Sequence, residues 1–328
     1  MCWNTLTSKG GKTALGLGAG LCLSLPAAAQ LTPQSAAELR DTIGARIESF
    51  TILSADQGFT GGTFSPTSDT WHHADMEVEK FGGDGEIGDP KPIGGTGLSW
   101  EPRVLGGMGF LDARNNFDSG PLATDSVEYK TFGIQFGGGV RCWLNQYLSF
   151  SPTIMGMYGH TKSEYTQRNG SIDVTEATRQ GLINWSIDTW TVLPALDLQY
   201  QRTWWRTIFT LTSDLTYFYT ESFNSTSSQL NVNGSSECWR NRVDVDVPLG
   251  CQFLGKELRT GGYFSRMEFY DGLRSGLHTD HLYEIHPRLV LDFLGQLWKV
   301  QWIGLGGSYM WGTSFEGWTV GADVEFRF

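Results

Sequence analysis

The residues from Trp318 to Phe328 alternate with period two. Trp318, Val320, Ala322, Val324, Phe326 and Phe328 are apolar or small, while Thr319, Gly321, Asp323, Glu325 and Arg327 are polar or glycine. Such a stretch is a strand with one apolar and one polar face. Its length is close to the roughly 9–11 residues with which a tilted strand crosses a bilayer. A single strand of this kind could also end a soluble sandwich, so the constraint comes from how often the rest of the chain repeats it.

It repeats from Phe132 onward. Phe132, Ile134, Phe136, Gly138, Val140 and Cys142 share a face, and Tyr147 to Tyr158 follows as the next strand. Trp190, Val192, Leu196, Leu198 and Tyr200 oppose Asp197 and Gln199, and Trp205, Phe209, Leu211, Leu215, Tyr217 and Tyr219 form another apolar face. Val243, Val245, Val247, Leu249, Cys251 and Phe253 alternate with Arg242, Asp244, Asp246 and Gln252. Further strands begin near Leu258, His281 and Leu297.

The connections alternate as well. Leu294-Gly-Gln296, Leu254-Gly-Lys-Glu257, Gln201-Arg-Thr203 and Asn145-Gln146 are short. Gly312–Gly317, Asp271–His278, Glu221–Arg240, His160–Ile187 and the stretch from Asp112 to Val127 are longer and polar. Outer-membrane barrels have short periplasmic turns and longer extracellular loops, whereas a sandwich has no reason to sort its connections. The rule breaks at Gly82–Ser99, which is long where a short turn is due. Upstream the signal fades: Ala74–Phe81 alternates weakly, and a strand over Trp100–Phe110 is expected.

Composition limits the alternatives. Between residue 30 and the end no apolar run is long enough for a membrane helix, so a bilayer span requires a closed barrel, because lipid offers no partner to an open sheet edge. The chain holds 13 Trp, 11 Tyr and 19 Phe with 42 Gly, the supply that aromatic girdles and tightly packed strands use. The formal net charge of −11 argues against a nucleic-acid partner.

The first residues read as an address. Lys9 and Lys12 precede an apolar run from Thr13 to Leu25 and a small-residue site, Pro26-Ala-Ala-Ala29. The expected organisation is a signal peptide over 1–29, cleaved near Ala29, a short amphipathic helix over 30–50, and a barrel over 51–328. Leu39, Ile43, Ile47 and Phe50 give the helix its apolar spacing, and a plug in the barrel lumen is one place for it. Cys142, Cys238 and Cys251 remain after cleavage, with no disulfide framework and no metal-ligand spacing. No metal and no cofactor are expected.

Charges on the polar faces set the inside of the barrel. Arg206, Asp214, Arg242, Asp244, Asp246, Glu268, Glu284, His286, Arg288, Asp292, Asp323, Glu325 and Arg327 are each opposed to an apolar face. Against lipid they would be costly; in the lumen they can pair. Their mixed signs predict a cross-linked, largely filled interior. Arg242, Asp244 and Asp246 could set ion selectivity, with structural pairing the favoured reading. Trp298, Trp302, Trp311 and Trp318 read as interfacial girdle.

Three constellations carry possible chemistry. His278-Thr-Asp280-His281, with Asp271, could activate a water at the outer rim; a polar hairpin tip is favoured. His160 with Ser163 lacks the spacing of a nucleophilic pair. His72-His73 with Asp75, Glu77 and Glu79 could hold a cation, but reads better as a solvated strand edge.

Val247-Pro-Leu-Gly250, Gly261-Gly-Tyr-Phe-Ser-Arg266, Leu282-Tyr-Glu-Ile-His-Pro-Arg288, Leu297-Trp-Lys-Val-Gln-Trp-Ile-Gly-Leu-Gly306, Gly307-Ser-Tyr-Met-Trp-Gly312 and Gly317-Trp318 resemble the solitary outer-membrane autotransporter-type β-barrel family. The resemblance implies an all-β, antiparallel up-and-down transmembrane barrel of about twelve strands, with about ten as the alternative. It implies an autotransporter barrel without a secreted passenger, in a Gram-negative outer membrane. Trp318, Val320, Val324, Phe326 and Phe328 resemble the terminal strand that barrel-assembly machinery recognises, so that machinery and membrane lipid are the expected partners. The expected function is non-enzymatic: a narrow pore for small polar solutes, or a structural barrel. A surface scaffold that binds or adheres through its outer loops is the alternative, and an outer-membrane hydrolase ranks below both.

Overall fold

The computed structural model describes residues 45, 47–49, 58–66, 74–116, 125–168, 175, 178, 183–226, 230–297 and 300–327. The expected signal peptide, most of the expected N-terminal helix, His72, His73, Trp298 and Phe328 lie outside them.

Twelve antiparallel strands close into a barrel, and one two-residue strand lies outside it. In chain order they are β1 (Gly58–Pro66), β2 (Ala74–Glu86), the outside strand β3 (Lys91–Pro92), β4 (Ser99–Asn116), β5 (Ser126–Trp143), β6 (Leu148–Thr166) and β7 (Ser186–Trp204). Then follow β8 (Thr207–Ser225), β9 (Asn233–Phe253), β10 (Lys256–Tyr270), β11 (His281–Leu297), β12 (Val300–Gly312) and β13 (Phe315–Arg327). A short helix, α1 (Asp271–Leu277), caps the β10–β11 connection. Each strand pairs with the next barrel strand along the chain, and β1 pairs with β13 to close the ring.

The period-two pattern sorts the side chains as expected. Phe136, Ile154, Leu196, Leu211, Val243, Ile285 and Leu305 are exposed on the outer wall, while Thr131, Thr161, Thr191, Thr220 and Ser265 are buried inside. Apolar residues out and hydroxyls in is the inverse of a soluble core, and it is what a bilayer solvent requires.

Strand β1 is the element hardest to read from sequence. It is Gly58-Phe-Thr-Gly-Gly-Thr-Phe-Ser-Pro66, and its glycines hide the alternation. Gly62 is needed where it stands: a Cβ there would come 2.5 Å from the Trp318 carbonyl oxygen on β13. Because β1 begins at Gly58, β13 runs past it and meets β2 directly in a short parallel pairing, Phe326 with Gly85 and Arg327 with Glu86.

Several strand boundaries differ from expectation. The β7–β8 turn is Trp205–Arg206 rather than 201–203, and β11 continues through Leu297. At the other end β6 runs to Thr166, β8 to Ser225, and β9 starts at Asn233. Polar alternating residues beyond the apolar band continue the ladder there, although in sequence they look like loop. The long Gly82–Ser99 stretch is a real elaboration: β2 continues to Glu86, and β3 folds back on β4 through Lys91–Trp100 and Pro92–Ser99 pairs.

Candidate functional site

The lumen is divided by height into two layers. Toward the long-loop end it is filled by apolar side chains. Leu193, Phe218, Met267 and Phe269 come from the walls, Trp185, Leu230 and Leu273 from the connections, and Ile47 from the helical residues near the N-terminus; all are buried. Glu48 lies in the same layer and accepts hydrogen bonds from Thr220 Oγ1 at 2.8 Å and from Ser236 Oγ. A buried carboxylate is costly unless hydroxyls such as these meet it.

Toward the short-turn end the lumen is a polar vestibule of about 560 Å³. Its walls run from Gln201, Ile208 and Gln301 at the rim to Phe218, Met155 and Met267 at the apolar layer. Of the charged residues singled out in the sequence, Asp214, Arg242, Asp244, Asp246, Arg288, Asp292, Asp323 and Glu325 line this space. Four of them are brought together in ion pairs. Asp244 receives Arg242 Nη2 at 2.8 Å and Arg288 Nη2 at 2.9 Å, from the two strands either side of β10, while Arg259 Nε reaches Asp246 Oδ1 at 2.8 Å. Arg242 also lies over the Tyr263 ring, 3.7 Å from its centroid. On the opposite wall Arg103 pairs with Asp84 and Arg141 with Glu86. Asp84, Glu86 and Arg103 are not legible in the sequence because β2 and β4 are glycine-rich and give a weak alternation; Arg141 lies on β5, opposite the apolar face expected there.

A second polar cluster is buried between β10 and β13. Glu284 accepts hydrogen bonds from Tyr263 Oη at 2.8 Å, Ser265 Oγ at 3.2 Å and Ser308 Oγ at 2.6 Å. Ser308 has one proton and gives it to Glu284, so His286 Nδ1, 2.8 Å away, must be the donor to Ser308. His286 Nε2 stands 3.3 Å from Asp323 Oδ2, and the imidazole stacks on Tyr263 at 4.8 Å. Although Ser, His and Asp meet here, Ser308 is buried and its proton is committed to Glu284. The arrangement pins four strands together rather than presenting a nucleophile.

Three expected placements are corrected. Glu268 faces outward on β10, where it pairs with Arg266 at 3.0 Å and accepts from Tyr270 Oη at 2.9 Å. Both faces of β10 carry aromatics, Tyr263 and Phe269 inside and Phe264 and Tyr270 outside, so parity could not be read from apolarity. Arg206 is in the β7–β8 turn and pairs with Glu257 of the adjacent turn rather than entering the lumen. Trp302 is not girdle: it lines the vestibule and donates to Glu325 through Nε1. Trp318 and Val320 are exposed on the outer wall. Val324 is half-buried. The side chains of Phe326 and Arg327 lie outside the described residues.

At the long-loop rim His281 Nδ1 and Asp280 Oδ1 are 2.6 Å apart. The hydrogen bond with His281 holds the Asp280 carboxyl below the usual carboxylate range. His160 and Ser163 are separated by the pleat: His160 faces outward to Asp188 at 2.7 Å, and Ser163 is buried inside. Glu77 and Glu79 are exposed on β2. Among the described residues no cluster of three or more His, Cys, Asp or Glu could hold a metal ion. Cys142, Cys238 and Cys251 are not joined in disulfides.

A family model described as a solitary outer membrane autotransporter beta-barrel domain matches residues 94–321. The chain belongs to that family. Its strands β4 to β12 fall within the match, as does the first half of β13, to Gly321. Among solved structures, the chain is similar to the transport unit of the autotransporter AIDA-I from Escherichia coli, at 10% identity and TM-score 0.56, over 89% of this chain and 99% of that one. The translocator domain of the autotransporter NalP from Neisseria meningitidis matches at 13% identity and TM-score 0.53, over 92% and 100% of the two chains. The β domain of the Bordetella autotransporter BrkA gives 12% identity and TM-score 0.53, over 84% and 100%. At these identities the likeness is one of fold. No curated protein matches the chain. The protein is thus an autotransporter-like barrel of the Gram-negative outer membrane.

Proposed function

We propose that this solitary barrel is closed toward the cell surface and acts as a non-enzymatic scaffold, with a charged vestibule open to the periplasm. The observation that carries the reading is the apolar layer across the lumen, to which the walls, three connections and the N-terminal helical residues all contribute buried side chains. Water and ions are excluded from such a layer. The paired arginines and carboxylates beneath it support the strands from inside, as a filled interior does in small barrels. In this reading the short turns are periplasmic and the long loops extracellular, the segment before residue 30 is removed on export, and the β13 strand is what the assembly machinery engages.

Thiol accessibility tests the reading. Thr210 lines the vestibule on β8. With Thr210→Cys in an otherwise cysteine-free chain, reconstituted in sealed vesicles of known insertion direction, a small impermeant thiol reagent should react from the short-turn side only. Equal reaction from the long-loop side would overturn the closed-barrel reading in favour of a continuous pore.

A further inference from the structure

The outer wall carries charge as well as apolar surface, and on two neighbouring strands that charge is sorted by height. On β5, moving from the apolar band toward the long-loop end, a phenylalanine is followed by a lysine and then a glutamate, and β6 runs alongside with His160, a lysine and a glutamate in the same order. Phe132 comes first, with its ring 5.2 Å from that of its register partner Phe110 on β4. Next come Lys130 and Lys162, directly opposite each other, and then Glu128 and Glu164, also directly opposite each other.

Like charges in direct cross-strand register are destabilising. A wall that needed only internal neutrality would oppose Lys to Glu, as Arg114 opposes Glu128 on the neighbouring pair of strands. Between β5 and β6 neutrality is recovered along each strand and on one diagonal: Lys130 Nζ is 3.0 Å from Glu128 on its own strand and 3.0 Å from Glu164 across it, and Lys162 Nζ is 2.5 Å from Glu164 on its own strand. Both ammonium groups stay about half exposed. The same order recurs on β10, where Phe264 is followed by Arg266 and then Glu268. On β4 Asp112 faces Lys130 in register, and one level nearer the apolar band Asp188 on β7 takes Tyr158, His160 and Asn224.

Aromatic rows mark the membrane–water interface, and the next outward-facing residue stands roughly 7 Å further along a strand. That height is where the phosphates of lipid headgroups lie, and basic side chains there recognise them. We infer that Lys130 and Lys162 form a docking site for the phosphate groups of the phosphorylated glycolipid of the outer leaflet. The inference rests on the long loops facing outward, as proposed above. Sorting the cations to the membrane side lets them meet phosphate while the glutamates above them fix their position.

The test uses the full folded chain in mixed detergent micelles, which expose both ends to lipid and so do not depend on orientation. Retention of bisphosphorylated lipid A, of fully dephosphorylated lipid A, and of phosphatidylglycerol is read by native mass spectrometry. The unmodified protein should retain the bisphosphorylated form at least about tenfold better than the other two. Lys130→Gln with Lys162→Gln should erase that preference, with folding checked by heat-modifiable gel mobility. Equal retention of phosphorylated and dephosphorylated lipid A by the unmodified protein would overturn the inference even if the variant failed to fold. So would equal retention of phosphatidylglycerol, or an unchanged preference in a folded variant. Labelling of long-loop residues on intact cells reports separately on orientation.

Discussion

The ring of Phe64 on β1 fills the space that a side chain at Gly317, its register partner on β13, would occupy. It also stacks on Phe315 at 5.3 Å, and both rings are buried in the lumen. The shortest barrel strand is thereby locked to the last one from inside. Gly317→Val should prevent closure, seen as loss of the fast-migrating folded band in unheated gels. Phe64→Ala should cost about 3 kcal/mol in urea unfolding, and in the Gly317→Val background it should restore part of the folded fraction.

Asp244 is held by Arg242 and Arg288 from two different strands. Its removal leaves two guanidinium groups without that carboxylate inside the barrel, and uncompensated buried charge is costly. Asp244→Ala should lower unfolding stability by about 3 kcal/mol, and Asp244→Asn by less. Adding Arg288→Met to Asp244→Ala should recover part of the loss, measured as a non-additive double-mutant cycle.

Trp302 and Trp318 test which face each strand turns to lipid. Trp302 lines the vestibule, and Trp318 is exposed on the outer wall. In single-tryptophan variants reconstituted with brominated lipid, Trp318 emission should be strongly quenched and Trp302 emission should not. Comparable quenching of both would mean that β12 is turned the other way.

These residues also show what was legible beforehand. The outward Val243–Phe253 face and the inward Arg242, Asp244 and Asp246 could be read because one face is uniformly apolar and the other charged. Alternation fails where both faces carry the same chemistry, as on β10, and Glu268 was misplaced for that reason. It also fails where glycine replaces the side chains that would report the face, as in β1 and at Gly304 and Gly306 beside Trp302. Some partners of the vestibule arginines lie on other strands, well separated in sequence. Asp84 with Arg103 and Asp244 with Arg288 become neighbours only through register, which composition and spacing do not carry. The division of the lumen into an apolar and a charged layer was likewise invisible, because it depends on the height of each residue and not on its parity.

Orientation is checked on intact cells. With the native cysteines replaced, Ser275→Cys in α1 should react with a bulky membrane-impermeant maleimide from outside. Gly255→Cys in the β9–β10 turn should react only after the outer membrane is opened. The reverse pattern would invert the barrel.

Closure of the lumen is tested most directly by conductance. Purified protein inserted into a planar bilayer should carry no steady current above the protein-free background at moderate voltage. Polar substitution of the apolar layer, as in Leu230→Ser with Leu273→Ser, should raise the frequency of openings. A stable open-channel current from the unmodified protein would contradict the closed barrel.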